Sequence, residues 1–430
     1  MKHVRRSNRH QGGKMSRRSF MGTAGAVGVA TLLSGTGRVF ARGSDKIRVG
    51  LIGCGGRGTG AARDCVESSP GVEIVAMGDM FEERLEMSLK TLTRNMPGNV
   101  KVTEDTCFVG FDAYKKVVAC DVDMVILATP PHFRPEHLKA AVEADKHVFM
   151  EKPVAVDPVG VRSVIASSEL AQEKRLSIVA GTQNRRSPAH IEIMKRVHDG
   201  AIGEILGGQG YRLQGGVWVK PRQPGWTDME WQCRNWYYFV WLSGDFPVEM
   251  VIHGMDLVNW AMGSHPVKVL GIGGRIARTG PEYGNVYDHF AFDFEYPNGA
   301  RISYMMTHIE NCTRRRAVRI VGTKGTAVLG RAIEGENPFQ YTGPRAKPQV
   351  LEHADLIASI REGKPINEGR QVAESTLTAI MGRMSAYTGQ EVTRDWAMNS
   401  SKLDLRPERY DFAAPAPVRP VAIPGKTKLI

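Results

Sequence analysis

Two groups of side chains in this chain have the types and spacing for proton chemistry. Lys152 stands in Met150-Glu151-Lys152-Pro153, directly after the run 146–150, which reads as a strand. A lysine at the carboxyl end of a strand can hydrogen-bond a substrate hydroxyl and take part in its deprotonation. Pro153 disfavours helical geometry at Lys152 and holds it at the end of an extended segment. The second group is Glu249-x-x-x-His253-x-x-Asp256, inside residues 247–262, whose apolar positions recur at helical spacing. That spacing predicts one helix with the three side chains near one face. A carboxylate one turn before a histidine can orient the imidazole and raise its basicity. The histidine can then take a hydroxyl proton while hydride leaves the same carbon.

Hydride needs an acceptor, and the chain carries a cradle for one. The apolar run 47–52 flows into Gly53-Cys54-Gly55-Gly56-Arg57-Gly58, and residues 59–67 read as a helix. Gly53 permits a tight turn, Gly55 lets backbone approach a pyrophosphate, and Gly58 lets strand and helix pack closely. The helix N-terminus adds amide donors and the positive end of its dipole. A second strand, 72–77, ends at Asp79, placed to accept hydrogen bonds from a ribose diol and to repel a 2′-phosphate. NAD is therefore the expected cofactor, with NADP the lesser alternative because Arg84 is close in sequence.

Strand and helix patterns alternate through residue 186, with strand ends at Thr129-Pro130-Pro131-His132, Glu151-Lys152 and Gln183-Asn184-Arg185-Arg186. Such alternation predicts a doubly wound parallel sheet with its ligand at the carboxyl ends of the strands. His132 either lines the nicotinamide pocket or caps the helix that follows. Past residue 187 the strands lengthen; 206–214, 267–276, 288–296, 300–308 and 317–321 read as antiparallel partners, with Asn298-Gly299 as a hairpin turn. The expected fold is α/β: a Rossmann domain at 44–186, an α+β domain with an open, mainly antiparallel sheet at 187–400, and an extended tail at 401–430.

Composition sets the class. With 430 residues, 42% hydrophobic and 24% charged, the chain reads as globular. Its net charge of +12 does not point to nucleic acid, because residues 1–43 hold nine basic residues and no acidic one. Ser16-Arg17-Arg18-Ser19-Phe20-Met21, a weakly apolar run and Val39-Phe40-Ala41 form a twin-arginine export pattern. The expected location is periplasmic, with no stable membrane span. Free nicotinamide cofactor is scarce there, so an exported enzyme of this kind would hold its cofactor tightly. The six cysteines show neither a CxxC pair nor zinc spacing, and no metal site is expected.

Taken in order, GLIGCGGRG, ATPPH, MEKP, GTQNRR and the Glu249–His253–Asp256 pattern resemble the glucose–fructose oxidoreductase/inositol dehydrogenase (Gfo/Idh/MocA) family across residues 46–392. The resemblance implies that Lys152 is catalytic or orients substrate, and it supports His253 as a base. The family usually has Asp at the position of Glu249 and often Gly at that of Val251. Glu249 thus orients His253, touches substrate, or marks altered chemistry. Residues 218–241 hold five tryptophans with Arg234, Trp236, Tyr237 and Tyr238, which fits a saccharide pocket or an aromatic interface. Arg185 and Asp256 are further candidates for substrate contact.

The implied function is hydride transfer from a sugar, polyol or glycoside hydroxyl, with retained NAD and a possible redox-neutral cycle. One alternative is glycoside cleavage by oxidation, elimination and reduction, although the His and Tyr motif of the family's NAD-dependent glycosidases is not found here. The other is an inactive dinucleotide- or carbohydrate-binding protein. The resemblance also implies a homo-oligomer joined through the open sheet.

Overall fold

A parallel strand covered on both faces needs a near-continuous apolar run, and β1 (Ile47–Ile52) is buried along almost its whole length. The computed structural model describes residues 46–417 and 419–430; the expected export segment at 1–43 lies outside the described residues. After β1 come α1 (Gly56–Ser68), β2 (Val72–Asp79), α2 (Glu82–Asn95), β3 (Cys107–Val109), α3 (Ala113–Ala119), β4 (Met124–Leu127), α4 (Arg134–Glu143), β5 (His147–Met150), α5 (Pro158–Glu173) and β6 (Ile178–Ala180). The six strands form a parallel sheet in the order β3-β2-β1-β4-β5-β6. Strand order reverses between β1 and β4, which opens a crevice at their carboxyl ends.

The second layer contains α6 (Pro188–His198), β7 (Ile205–Leu213), α7 (Asp228–Arg234), α8 (Val240–Ser243), α9 (Ile252–Met262), β8 (Lys268–Gly274), β9 (His289–Glu295), β10 (Arg301–Thr307) and β11 (Arg315–Gly322). β12 (Gly325–Val328), β13 (Ala332–Gly335), β14 (Phe339–Gln340), α10 (Pro348–Glu362), α11 (Gly369–Thr388), β15 (Val392–Thr393) and α12 (Arg394–Asn399) follow. Nine strands pair in the order β14-β13-β12-β11-β7-β10-β9-β8-β15. Most pairings are antiparallel as expected, but β7 and β10 run parallel, with Gly210 opposite Tyr304. Residue alternation sets which face is buried and carries no information on strand direction.

β9 and β10 alternate strictly, burying Phe290, Phe292, Phe294, Ile302, Tyr304 and Met306 on one face. That face packs under α9 and α11. One expectation is corrected. Residues 247–262 are not one regular helix: Pro247–Val251 winds as a π-helical turn, and α9 begins only at Ile252. After residue 347 the chain visits the first layer before α11 and β15 return to the second sheet. α10 packs on α1, and the amides of Ile178 and Glu368 bond the carbonyls of Ile366 and Ile178 at 2.7 and 2.9 Å.

Asp157 joins the tail to the first layer. Its Oδ1 accepts the Gly160 amide at 2.7 Å, an α5 cap worth about 1 kcal/mol. Its Oδ2 accepts the Leu405 amide at 2.8 Å. Further on, Phe412 stacks on Phe81 with ring centroids 5.4 Å apart, and Tyr287 Oη donates to the Ala422 carbonyl at 2.8 Å. The tail is therefore a strap across both layers. Among the described residues, no helix is long and apolar enough to cross a membrane.

Candidate active site

The glycine turn is shaped by backbone. Gly53 sits at φ +95°, and a Cβ there would come within 2.5 Å of the Thr129 amide nitrogen. A Cβ on Gly58 would overlap the Gly53 carbonyl oxygen, whereas Gly56 faces open space. Gly55 precedes α1 with no side-chain cap, which leaves first-turn amides for a phosphate. Beyond the turn lies a crevice of about 910 Å³, lined by Gly53, Cys54, Gly55, Gly56, Arg57, Asp79, Thr129 and Pro130. Asp79 Oδ2 accepts the Cys54 amide at 2.6 Å and its Oδ1 accepts the Phe81 amide at 2.9 Å. Burial pushes its carboxyl above the usual range, against the pull of those two amides. Each oxygen retains a lone pair for a ribose hydroxyl. Bare glycine, free amides and an oriented carboxylate fit a dinucleotide.

The aromatic segment closes the same crevice. Trp218, Trp226, Trp236 and Arg234 line it. Arg234 bonds Glu230 at 2.9 Å, pairs with Glu83, and lies 3.9 Å from the Phe81 ring centroid and 4.8 Å from that of Trp226. Arg234 thus has Nε and Nη1 engaged on the nucleotide side of the crevice. Tyr237 is buried beside the segment, with a hydroxyl that lacks a partner among the described residues, and it does not line this crevice.

Trp236 and Arg57 also line an adjoining cavity of about 220 Å³, into which Glu151, Lys152, Glu249 and His253 converge. Lys152 Nζ donates to the Glu249 carbonyl at 2.7 Å and to its Oε1 at 3.0 Å. The π-helical turn explains this pairing: its wider winding moves Glu249 off the i, i+4 line to His253. Glu249 therefore holds Lys152 and does not orient His253, which corrects the single-helix expectation. Glu249 Oε2 is buried with no partner among the described residues, so it is open to a ligand donor. Desolvation, followed by the charges of Lys152, Arg316 and Arg212, drives the His253 pKa well below its ordinary value. The imidazole is neutral and able to accept a proton.

Other groups surround this centre. Glu151 Oε1 bonds Arg57 Nε at 2.8 Å, and Arg57 also reaches Asp64 at 3.1 Å. Arg134, which sequence reasoning missed, is buried against the Leu127 carbonyl at 2.9 Å, and desolvation lowers its pKa to about 10. Glu352, also missed, reaches the cavity from α10, with Oε1 unpartnered among the described residues. Burial and then Glu151 raise its carboxyl well above the usual range. An acid among the buried positions of α10, beside Leu356, Ile357 and Ile360, was the available signal.

Three expected residues lie elsewhere. Asp256 accepts Arg185 at 2.8 and 2.9 Å, Gln371 at 2.5 Å and Ser375 at 2.8 Å. The Asp256 carboxylate spends its acceptors on this strut, Arg185 gives it two donors, and neither residue lines the two crevices. His132 Nε2 bonds Tyr410 Oη at 2.8 Å, and its ring packs edge-on to Trp241 at 4.9 Å. It anchors the strap and does not line the nicotinamide side.

Comparison with known proteins agrees with this geometry. Residues 47–180 match the family model described as an oxidoreductase family with an NAD-binding Rossmann fold. Residues 190–328 match the GFO/IDH/MocA C-terminal domain. The chain is 24% identical to the NAD(+) scyllo-inositol 2-dehydrogenase of Bacillus subtilis, over 66% of this chain and 74% of that one. It is 29% identical to the 2,7-anhydro-N-acetylneuraminate hydratase of Escherichia coli, over 48% and 50% of the two chains. The scyllo-inositol dehydrogenase of Lactobacillus casei, solved with NAD(H) and scyllo-inositol, superposes with a TM-score of 0.62 at 18% identity. That likeness covers 81% of this chain and 99% of the other. The chain belongs to the Gfo/Idh/MocA family and is an NAD-dependent oxidoreductase.

Proposed function

We propose that the protein oxidises a hydroxyl of a sugar, polyol or glycoside in the cavity shared by Lys152, Glu249 and His253. The observation that carries this reading is that these three groups line one cavity, which shares Arg57, Ala128, Thr129 and Trp236 with the dinucleotide crevice. When bound, NAD supplies the hydride acceptor. Gly53 to Gly56 and Asp79 hold its pyrophosphate and ribose; Trp236 closes the site against water. Lys152, fixed by the two bonds it donates to Glu249, donates a further hydrogen bond to the reacting hydroxyl. Neutral His253 takes the hydroxyl proton as the C–H bond breaks. Glu249 Oε2 accepts a neighbouring hydroxyl and sets the sugar's orientation.

The same reading includes export by the twin-arginine route to the periplasm, with NAD retained through turnover. It also includes assembly through the open sheet face, where Leu270 and Ile272 of β8, Met305 of β10 and Val321 of β11 are exposed. The test is mass spectrometry and absorbance of cofactor released from purified protein, before and after exposure to a glycoside panel. Retained NAD that is reduced by a sugar supports the reading; weak NAD affinity with no sugar-dependent reduction contradicts it.

A redox-neutral cycle is a second reading, favoured by the proton-handling groups gathered in one small cavity. Oxidation of a hydroxyl to a ketone acidifies the adjacent C–H; His253 or Lys152 removes that proton, a β-substituent leaves, and hydride returns. The hydratase relative, whose reaction class involves no net oxidation, supports this version.

A further inference from the structure

His253 lines two cavities. The second, of about 200 Å³, lies beside the first and is bounded by Arg212, Arg316, His190, Asn184 and Tyr304. Its described lining includes no aspartate or glutamate. This contrasts with the Lys152 cavity, where Glu151, Glu249 and Glu352 are all present.

The two arginines stand directly opposite each other, Arg316 on β11 facing Arg212 on β7 in antiparallel register. Met306 on β10 shares their row and is 1% exposed, so the row points to the helix-covered face that carries α9. Like charges directly opposite across a ladder repel. Elsewhere the protein answers such groups: Arg278 meets Glu310 and Arg185 meets Asp256, each at 2.8 Å. No described carboxylate lies within ion-pair distance of Arg212 or Arg316, and Arg212 Nε is buried without a partner among the described residues. Burial and Arg316 lower the Arg212 pKa, and the more distant Glu249 pulls the other way without forming an ion pair.

The floor of the cavity is built by close packing. Tyr304 is buried, and its ring lies against Gly210 and its hydroxyl against Gly254, positions where a Cβ would overlap it. His190 adds a ring whose Nδ1 is buried and unpartnered among the described residues. Asn184 enters from the segment after β6, so both layers meet here. Arg316 is exposed and stands at the mouth.

We propose that this cavity is an oxyanion subsite, and that the sugar oxidised beside His253 carries a carboxylate, or a sulfate or phosphate ester, seated between Arg212 and Arg316. This rests on the reading of the Lys152–His253 cavity as the site of hydride transfer. The size fits the acidic end of a monosaccharide, and planar guanidinium groups recognise oxyanions through paired donors. The acid-free lining would discriminate against a neutral sugar by leaving the two cations unanswered.

The test uses the full chain loaded with NAD and matched sugar pairs: glucose with glucuronate, galactose with galacturonate, and the sulfate and phosphate esters of both. Calorimetric binding and cofactor reduction are measured in parallel. The expected result is at least about tenfold tighter binding of one acidic class, weakened by salt. That preference falls about tenfold in Arg212→Gln and in Arg316→Gln, and is partly restored in Arg212→Lys. Arg316→Gln alters an exposed side chain, so it keeps the test valid if Arg212→Gln fails to fold. Equal binding of neutral and acidic sugars, or a preference untouched by either variant, overturns the subsite. Preferential acidic binding without NAD reduction would leave the subsite standing and defeat the hydride-transfer reading. NAD reduction by neutral sugars alone would do the reverse.

Discussion

The two walls of the candidate active site are built by different means. The cofactor wall is mostly backbone: Gly53 and Gly58 are required by close approach, and Asp79 is positioned by two main-chain amides. The substrate wall is side chains meeting across long sequence separations, with Lys152 held by Glu249, 97 residues away. A backbone wall binds what all members of a fold share, whereas a side-chain wall can be re-specified without disturbing it. Substitutions on the two walls should therefore fail in different ways.

The largest separation is expected at Lys152. Lys152→Met should lower single-turnover hydride transfer about 10³-fold while NAD remains bound, as stopped-flow absorbance and cofactor analysis would show. Loss of NAD in this variant would erase the distinction between the walls. The strut joining them comes next. Asp256→Ala leaves Arg185 partly buried without its counter-charge and should cost about 3 kcal/mol, read by denaturant unfolding. On the cofactor wall, Gly58→Ala forces the turn apart. NAD affinity should fall on the order of 100-fold in calorimetry, with residual turnover recovered at saturating NAD. Glu249→Gln keeps the shape but weakens the hold on Lys152, and kcat should fall about tenfold with NAD affinity unchanged.

Proton linkage gives the broadest effect, spread over the whole fold and not confined to either wall. Burial lowers His132, His137 and His353 from 6.5 to about 3, and His147 to about 4. The unfolded chain thus binds protons below pH 6.5 that the folded chain refuses. Stability is fully present above that pH and declines as pH falls toward 4, which thermal melts would follow. His253 shares the direction, so the hydride-transfer rate should show no acid limb near pH 6.5.

Much of the fold was legible because its signals are local. β1, the glycine turn and α1 lie within residues 47–68, and each states its requirement in a few neighbouring residues. Convergence of Lys152, Glu249 and His253 could be expected from motif order, but not the contact between the first two. They are far apart in sequence, and the π-helical turn that joins them replaces the regular spacing assumed for 247–262. The Arg212–Arg316 pair depends on β7 meeting β11 in one register, which alternation does not specify. Glu352 depends on α10 returning to α1, a tertiary choice invisible to helix periodicity. His132 and Asp256 were placed by type and position, and their hydrogen-bond partners, Tyr410 and Arg185, decided otherwise.

The central claim is that Lys152 and His253 move a proton while NAD waits beside them. The most direct measurement is the near-ultraviolet absorbance of reduced nicotinamide in a single turnover of NAD-loaded protein, compared among the native chain, Lys152→Met and His253→Asn. A sugar-dependent rise in the native protein, reduced at least about 100-fold in both variants with NAD still bound, is the predicted result. Equal rises in all three proteins would place the chemistry elsewhere.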